Sequence, residues 1–238
     1  MNLNLKTSPL VYAKAIGFLY LVLLVVGPFS LLYVDGTLIA PGDATKTANN
    51  IATSEFLYRL GLVGHGITLL ADLGIAVLLY ILFKPVNQVL SMISMFGRLG
   101  TAFIHGAIIL LSIIVLLLVS GAEYLDAFPK GQRDSLLLLF INLRQSGGLV
   151  WGMFFGVHCL LMGILVYQSG FLPKWLGVLM IAPGIGYLMN SFGAIAAPDL
   201  TGFFAIAVSV GTIGELVFAF WLLIKGVDVK EWRSRAGQ

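Results

Sequence analysis

LYRLGLVGHGITLLADLGIAVLLYILF, residues Leu57 to Phe83, decides the fold. It is longer than the ~20 helical residues that cross a bilayer core of ~30 Å. Its apolar character yields at only a few points: Tyr58 and Arg59 at the start, then His65, Thr68, Asp72 and Tyr80. Five further runs resemble it: Val11–Tyr33, Phe96–Ser120, Leu149–Tyr167, Trp175–Ile195 and Phe203–Ile224. Of the 238 residues, 59% are hydrophobic and 11% charged, and the mean hydropathy is +0.99. A soluble domain carries about 25% charged residues, so this chain lacks the polar surface to cover itself in water. The expectation is an all-α, polytopic membrane protein: one membrane domain over residues 1–238, a bundle of six transmembrane helices.

The net charge of +3 does not point to nucleic acid, because Lys and Arg form no basic patch or aromatic-interleaved motif. They sort by connection instead. With the N-terminus inside, Lys6, Lys14, Lys84, Arg98, Lys174, Lys225, Lys230, Arg233 and Arg235 fall on the inner side. Lys46, Arg59, Lys130, Arg133 and Arg144 fall outside. The positive-inside rule then places both termini in the cytoplasm. The first run is longer than a signal-peptide core and no Ala-x-Ala site follows it, so it reads as a retained helix. Cys159 is the only cysteine, which excludes an intrachain disulfide and CxxC-type thiol clusters.

Local signals fill in the connections. Gly27-Pro28 should bend the outer half of the first helix, since proline removes a backbone donor. Pro41-Gly42-Asp43 reads as a turn with Asp43 as the N-cap of a short helix through Asn49 and Ile51. The second outer segment, 121–148, should hold an amphipathic helix starting at Gln132 or Asp134, with Leu136–Ile141 as its apolar part. The first is expected to lie at the interface, and the second, too short to span, at the interface or packed on the bundle. Gly148, Gly152 and Gly156, spaced by four, suit close helix approach. Pro183-Gly184 and Gly186 should kink or locally unwind the fifth helix. No inverted repeat is evident: the similar Ala40-Pro41-Gly42-Asp43 and Ala197-Pro198-Asp199 follow helices one and five, the wrong spacing for paired halves.

Ionisable residues near mid-bilayer are the candidate site. A charge there costs about 2.5–3.5 kcal/mol on the insertion scale, so such residues face the bundle interior and take partners. Asp72, His105, His158 and Glu215 form the first set, and His65, Arg98 and Asn190 the second. His65, Thr68 and Asp72 share one helical face, as do Arg98, Thr101, His105 and Ser112, and as do Thr212 and Glu215. At 1.5 Å per residue, His65 lies ~10 Å outward of Asp72.

Three chemistries suit this set. Imidazoles with a carboxylate hold Zn or Fe, and two imidazoles hold haem. Carboxylates and histidines relay protons. Alternatively, the same groups bond across helices and fix packing without chemistry, at ~0.6–2 kcal/mol per contact. No HExxH motif or other metal-ligand spacing within one helix is present, so no cofactor is named by a motif.

An ordered set of short segments carries a family resemblance. Pro41-Gly42-Asp43-Ala44, Ala48-Asn49-Asn50-Ile51 and Ser54-Glu55 lead to Tyr58-Arg59-Leu60. Leu79-Tyr80, Lys84-Pro85-Val86-Asn87 and Phe96-Gly97-Arg98-Leu99 follow. Later come Phe155-Gly156-Val157-His158-Cys159-Leu160, Ser169-Gly170-Phe171-Leu172-Pro173-Lys174-Trp175-Leu176-Gly177, and Gly186-Tyr187-Leu188 with Ser191-Phe192. The set resembles the bacterial integral-membrane family called domain of unknown function 4386, over roughly Tyr12 to Ile224. The resemblance implies a bacterial inner-membrane protein of about six helices and draws attention to Asp72, Arg98 and His158. It assigns no catalytic role.

Three functional readings follow. The first is a non-catalytic binding or stress-linked membrane protein. The second is a small ion- or proton-coupled transporter using its intramembrane carboxylates. The third is an intramembrane metal or haem protein acting on a lipid or quinone. The expected partners are the lipid bilayer and a lipophilic small molecule or ion, and a homo-oligomer is compatible with all three.

Overall fold

The computed structural model describes residues 8–197, 199 and 201–237, with side chains described outside 201–212. Lys6, Pro198 and the side chain of Thr212 therefore lie outside the described residues. Among the described residues there are eight helices and no strand. They are α1 (Pro9–Leu38), α2 (Ala44–Thr53), α3 (Glu55–Phe83), α4 (Gln88–Val119), α5 (Lys130–Ser169), α6 (Lys174–Ala196), α7 (Thr201–Ile224) and α8 (Val229–Arg235). Five of them, α1, α3, α4, α5 and α6, are long and apolar enough to cross a membrane.

Local chemistry sets these boundaries. Asp43 accepts from the Lys46 N–H at 2.9 Å and caps α2, as its position predicts. Asn87 caps α4 in the same way, through Leu90 N–H at 3.0 Å, which starts the helix eight residues ahead of the expected Phe96. Gly170 and Gly226, at φ +72° and +71°, end α5 and α7 in the left-handed conformation that glycine adopts without a Cβ penalty. Asp228 accepts from Lys230 and Glu231 N–H and starts α8.

Three elements depart from the sequence expectations. The first helix does not end at Tyr33. Directly after Pro28 it passes through a π-helical turn, Phe29–Val34, and continues to Leu38. Pro28 supplies no N–H, and a wider turn beside it keeps the following carbonyls paired, with Asp35 N–H donating to Ser30. The separate amphipathic helix from Gln132 and the span from Leu149 are one helix of 40 residues. Gly147 and Gly148 do not break it: neither has a positive φ, and Gly147 lies against Ile108. At 1.5 Å per residue α5 is about 60 Å long, twice a bilayer core. Finally, α6 stays α-helical through Pro183 and Gly184, without the local unwinding that they suggested.

The described contacts divide the chain into two compact units, with the dividing points inside long helices. The first comprises 1–21, 71–102 and 149–238. Its α5 and α6 meet through glycines: a Cβ on Gly163 would fall 2.7 Å from the Gly177 carbonyl oxygen, and one on Gly177 2.6 Å from that of Gly163. Gly156 packs on Leu188 and Gly184 on Leu160, so backbone lies on backbone along this seam. Trp232 of α8 is buried and donates its indole N–H to the Leu82 carbonyl at 2.8 Å, which ties the C-terminal helix to α3.

The second unit comprises 22–70 and 103–148. Its core gathers Val34, Leu38, Ala48, Ile51, Tyr58, Val115, Leu116, Leu137 and Ile141. Helix α2 is held to the end of α1 by Thr47 and Asn50, which bond the Ala40 and Leu38 backbone.

The glycine seam makes a direct prediction. Gly177→Ala forces its new methyl into the α5 backbone and should lower unfolding stability in mild detergent by about 1–3 kcal/mol. Gly66→Ala, where a Cβ meets nothing within 4 Å, should be neutral or gain up to about 1 kcal/mol by removing glycine's unfolded-state freedom. Thermal melts of the two variants check both; equal losses would contradict the seam.

Candidate functional site

Ser94, Arg98 and Thr101 follow one another on a face of α4 at spacings of four and three. Gly97 lets the neighbouring helix approach, since a Cβ there would sit 3.2 Å from the Phe154 carbonyl oxygen and 3.3 Å from the His158 nitrogen. Arg98 is thereby enclosed, at 1% exposure. Its Nη2 donates to Asp72 Oδ1 of α3 at 2.6 Å, an ion pair whose side chains are 1% and 8% exposed. Nη1 donates to the Tyr20 hydroxyl of α1 at 2.8 Å and faces His158 Nε2 of α5 at 3.2 Å. The guanidinium also lies 4.9 Å from the Tyr20 ring centre and 5.4 Å from that of Phe155, a cation–π arrangement that strengthens on desolvation.

The histidine's tautomer follows from its partners. Arg98 only donates, so His158 Nε2 accepts. The proton therefore sits on Nδ1, which donates to the Ser94 carbonyl at 2.9 Å, with Ser94 Oγ also at 2.9 Å. The Ser94 hydroxyl in turn reaches the His158 carbonyl at 3.4 Å. Both ring nitrogens of His158 are engaged by protein groups.

Glu215 of α7 stands within electrostatic reach of Arg98, Asp72, Tyr20 and Cys159. The Tyr187 side chain of α6 hydrogen-bonds its carboxylate. Its Oε1 and the Nε of Arg98 are enclosed without a hydrogen-bond partner among the described residues. One cation thus faces two carboxylates, each supplied by a different helix.

The other histidines form a separate centre in the second unit. His65 Nδ1 and His105 Nε2 lie 3.1 Å apart with the rings edge to face. The same unit holds its own buried ion pair, Arg144 Nη2 to Asp35 Oδ2 at 2.7 Å. Arg144 Nη1 also bonds Ser112 Oγ at 3.3 Å, and the Tyr58 hydroxyl donates to the Ser112 carbonyl at 3.1 Å. Asp35, Tyr58, His65 and Arg144 close round a gap too narrow to admit a water molecule.

Of the residues singled out by sequence, Asp72, Arg98 and His158 are therefore directly bonded and Glu215 adjoins them. His65 and His105 pair elsewhere, and Asn190 is half-buried on α6. Among the described residues no group of three or more His, Cys, Asp or Glu is disposed to hold a metal ion. Tyr20, Ser94 and Tyr187 escaped the sequence reading, as did the Asp35–Arg144 pair. Two of them carried a signal. Ser94 shares the face of Arg98, and Tyr20 continues the buried face of α1 through Ala13, Ile16 and Gly17.

Removing one member of a buried pair strands the other, at about 3–5 kcal/mol. Arg98→Met or Asp72→Leu alone should each destabilise the protein by about that amount in detergent unfolding. The double variant should lose less than the sum, because it leaves no stranded charge. Additive losses would contradict a direct Asp72–Arg98 interaction.

Comparison with known proteins completes the picture. A family profile described as "domain of unknown function (DUF4386)" matches residues 15–226. An uncharacterized protein of Archaeoglobus fulgidus is 32% identical over 173 residues, covering 71% of this chain and 86% of that protein. No solved structure matches. The profile spans nearly the whole chain, including Tyr20, Asp72, Arg98, His158 and Glu215, and the chain belongs to the DUF4386 family.

Proposed function

We propose that this DUF4386 chain is a multi-pass protein of the bacterial cytoplasmic membrane that binds rather than catalyses. Six spans, α1 and α3 to α7, make one membrane domain and leave both termini in the cytoplasm. Helix α2 and the first turns of α5 lie at the outer surface. The basic residues Lys225, Lys230, Arg233 and Arg235 at the C-terminus suit an anionic inner leaflet. The apolar side chains Phe18, Val25, Leu32, Phe56, Leu70 and Phe103 are all more than half exposed and suit contact with lipid.

The observation that carries the non-catalytic reading is the engagement of the central polar groups. A general base or metal ligand needs a lone pair directed at a substrate or ion. The His158 lone pair is directed at Arg98, and its N–H at Ser94. Arg98 in turn is held by Asp72 and Tyr20. Such a network fixes five side chains from four helices and supports a scaffold whose ligands lie elsewhere: the bilayer, a lipophilic small molecule or ion, or a second copy of the chain.

Two measurements test this reading. Elemental analysis of the purified protein for Zn, Fe, Cu and Mn should give well below one metal per chain, unchanged in His158→Ala; stoichiometric metal lost in that variant would overturn it. For topology, an Asp126→Cys variant on a background without Cys159 should react with a membrane-impermeant maleimide in intact cells. Labelling only after the cytoplasmic side is opened would reverse the orientation.

A further inference from the structure

We propose that Glu215 is a proton-binding site: its carboxyl holds a proton, and that proton balances the charge of the buried centre.

The groups facing Glu215 come from five helices: Tyr20 of α1, Asp72 of α3, Arg98 of α4, Cys159 of α5 and Tyr187 of α6. Only Arg98 is a cation among them. It is committed to Asp72 at 2.6 Å, with its other terminal nitrogen on Tyr20 and His158. His158 is neutral, since its Nε2 accepts from Arg98. With Asp72 and Arg98 cancelling, an ionised Glu215 would leave one uncompensated negative charge in an apolar bundle, which is far more costly than a neutral buried group.

The surroundings favour a proton over a metal cation. Hard cations take several oxygen ligands; of the other oxygens near Glu215, Asp72 Oδ1 and the Tyr20 hydroxyl already accept from Arg98, and that guanidinium repels cations. A proton needs a single oxygen. Among the described residues Oε1 of Glu215 is enclosed and has no hydrogen-bond partner, whereas Tyr187 bonds the carboxyl group. The same charge count gives the site a consequence. Loss of the proton leaves Asp72 and Glu215 competing for one guanidinium, whose Nε is enclosed and unbonded. Proton binding at Glu215 is thereby coupled to the contact that joins α3 to α4.

Infrared spectroscopy of the full chain in lipid nanodiscs tests the assignment. At neutral pH the wild type should show the carbonyl band of a protonated carboxylic acid. The band should move when glutamate carboxyls carry ¹³C, stay fixed when aspartate is labelled, and be lost in Glu215→Gln. No such band, a band that moves only with labelled aspartate, or a band that survives in Glu215→Gln would overturn the proposal. So would a band present only in sodium-free buffer, which would give the site to sodium. If Glu215→Gln fails to fold, the labelled wild type decides alone: the side chains of Glu55 and Glu231 are 42% and 44% exposed and Glu123 is exposed, so none shares the enclosure of Glu215 Oε1.

Discussion

A buried guanidinium must be satisfied on several sides at once, and in this protein that requirement fixes which helices meet. Arg98 has donors in a rigid planar fork and no acceptor. It takes a carboxylate from α3, a hydroxyl from α1 and an imidazole nitrogen from α5. Apolar packing alone permits many rotations of one helix against another. A charge with three named partners permits far fewer, because each wrong register strands a polar atom. Gly97 beside Arg98, and the glycine seam of α5 with α6, bring the backbones near enough for these short side chains to reach.

The second unit repeats the device with other residues. Arg144 is paired with Asp35 and bonded to Ser112, and Tyr58 bonds the backbone of that same serine. Each unit thus contains one enclosed arginine–aspartate pair with a tyrosine and a serine beside it. The two histidines near the second pair bond each other. The sequence reading set His105 with Asp72 near mid-bilayer, but His105 lies seven residues beyond Arg98 on the same face of α4, about 10 Å along the axis. It pairs there with His65, which lies seven residues before Asp72 on α3.

Much of the fold was legible because long apolar runs have few structural options. The span-length helices and the Asp43 cap followed from residue type and spacing; of the expected glycine stripe, Gly152 and Gly156 sit at close helix contacts and Gly148 does not. Boundaries were less legible. The outer segment 121–148 and the span from Leu149 read as separate elements, yet one helix runs through Gly147 and Gly148. Pro28 reads as a bend, and a π turn absorbs it. The site was half legible. The cost of burying charge drew attention to Asp72, His158 and Glu215 and set Arg98 behind them, although Arg98 makes the bonds to Asp72 and His158. Tyr20 and Ser94 were hidden because a tyrosine or serine in an apolar helix is inexpensive and carries no alarm.

Arg98 donates to His158 within one connected network, and the histidine's protonation pattern reports this directly. Nitrogen-15 NMR of the protein in nanodiscs, with the histidines labelled and His158 assigned by comparison with His158→Ala, gives the state of each ring nitrogen at neutral pH. The network predicts a neutral ring with the proton on Nδ1 and a bare Nε2. An imidazolium, or a ring protonated on Nε2, would contradict it, because neither leaves a lone pair for Arg98.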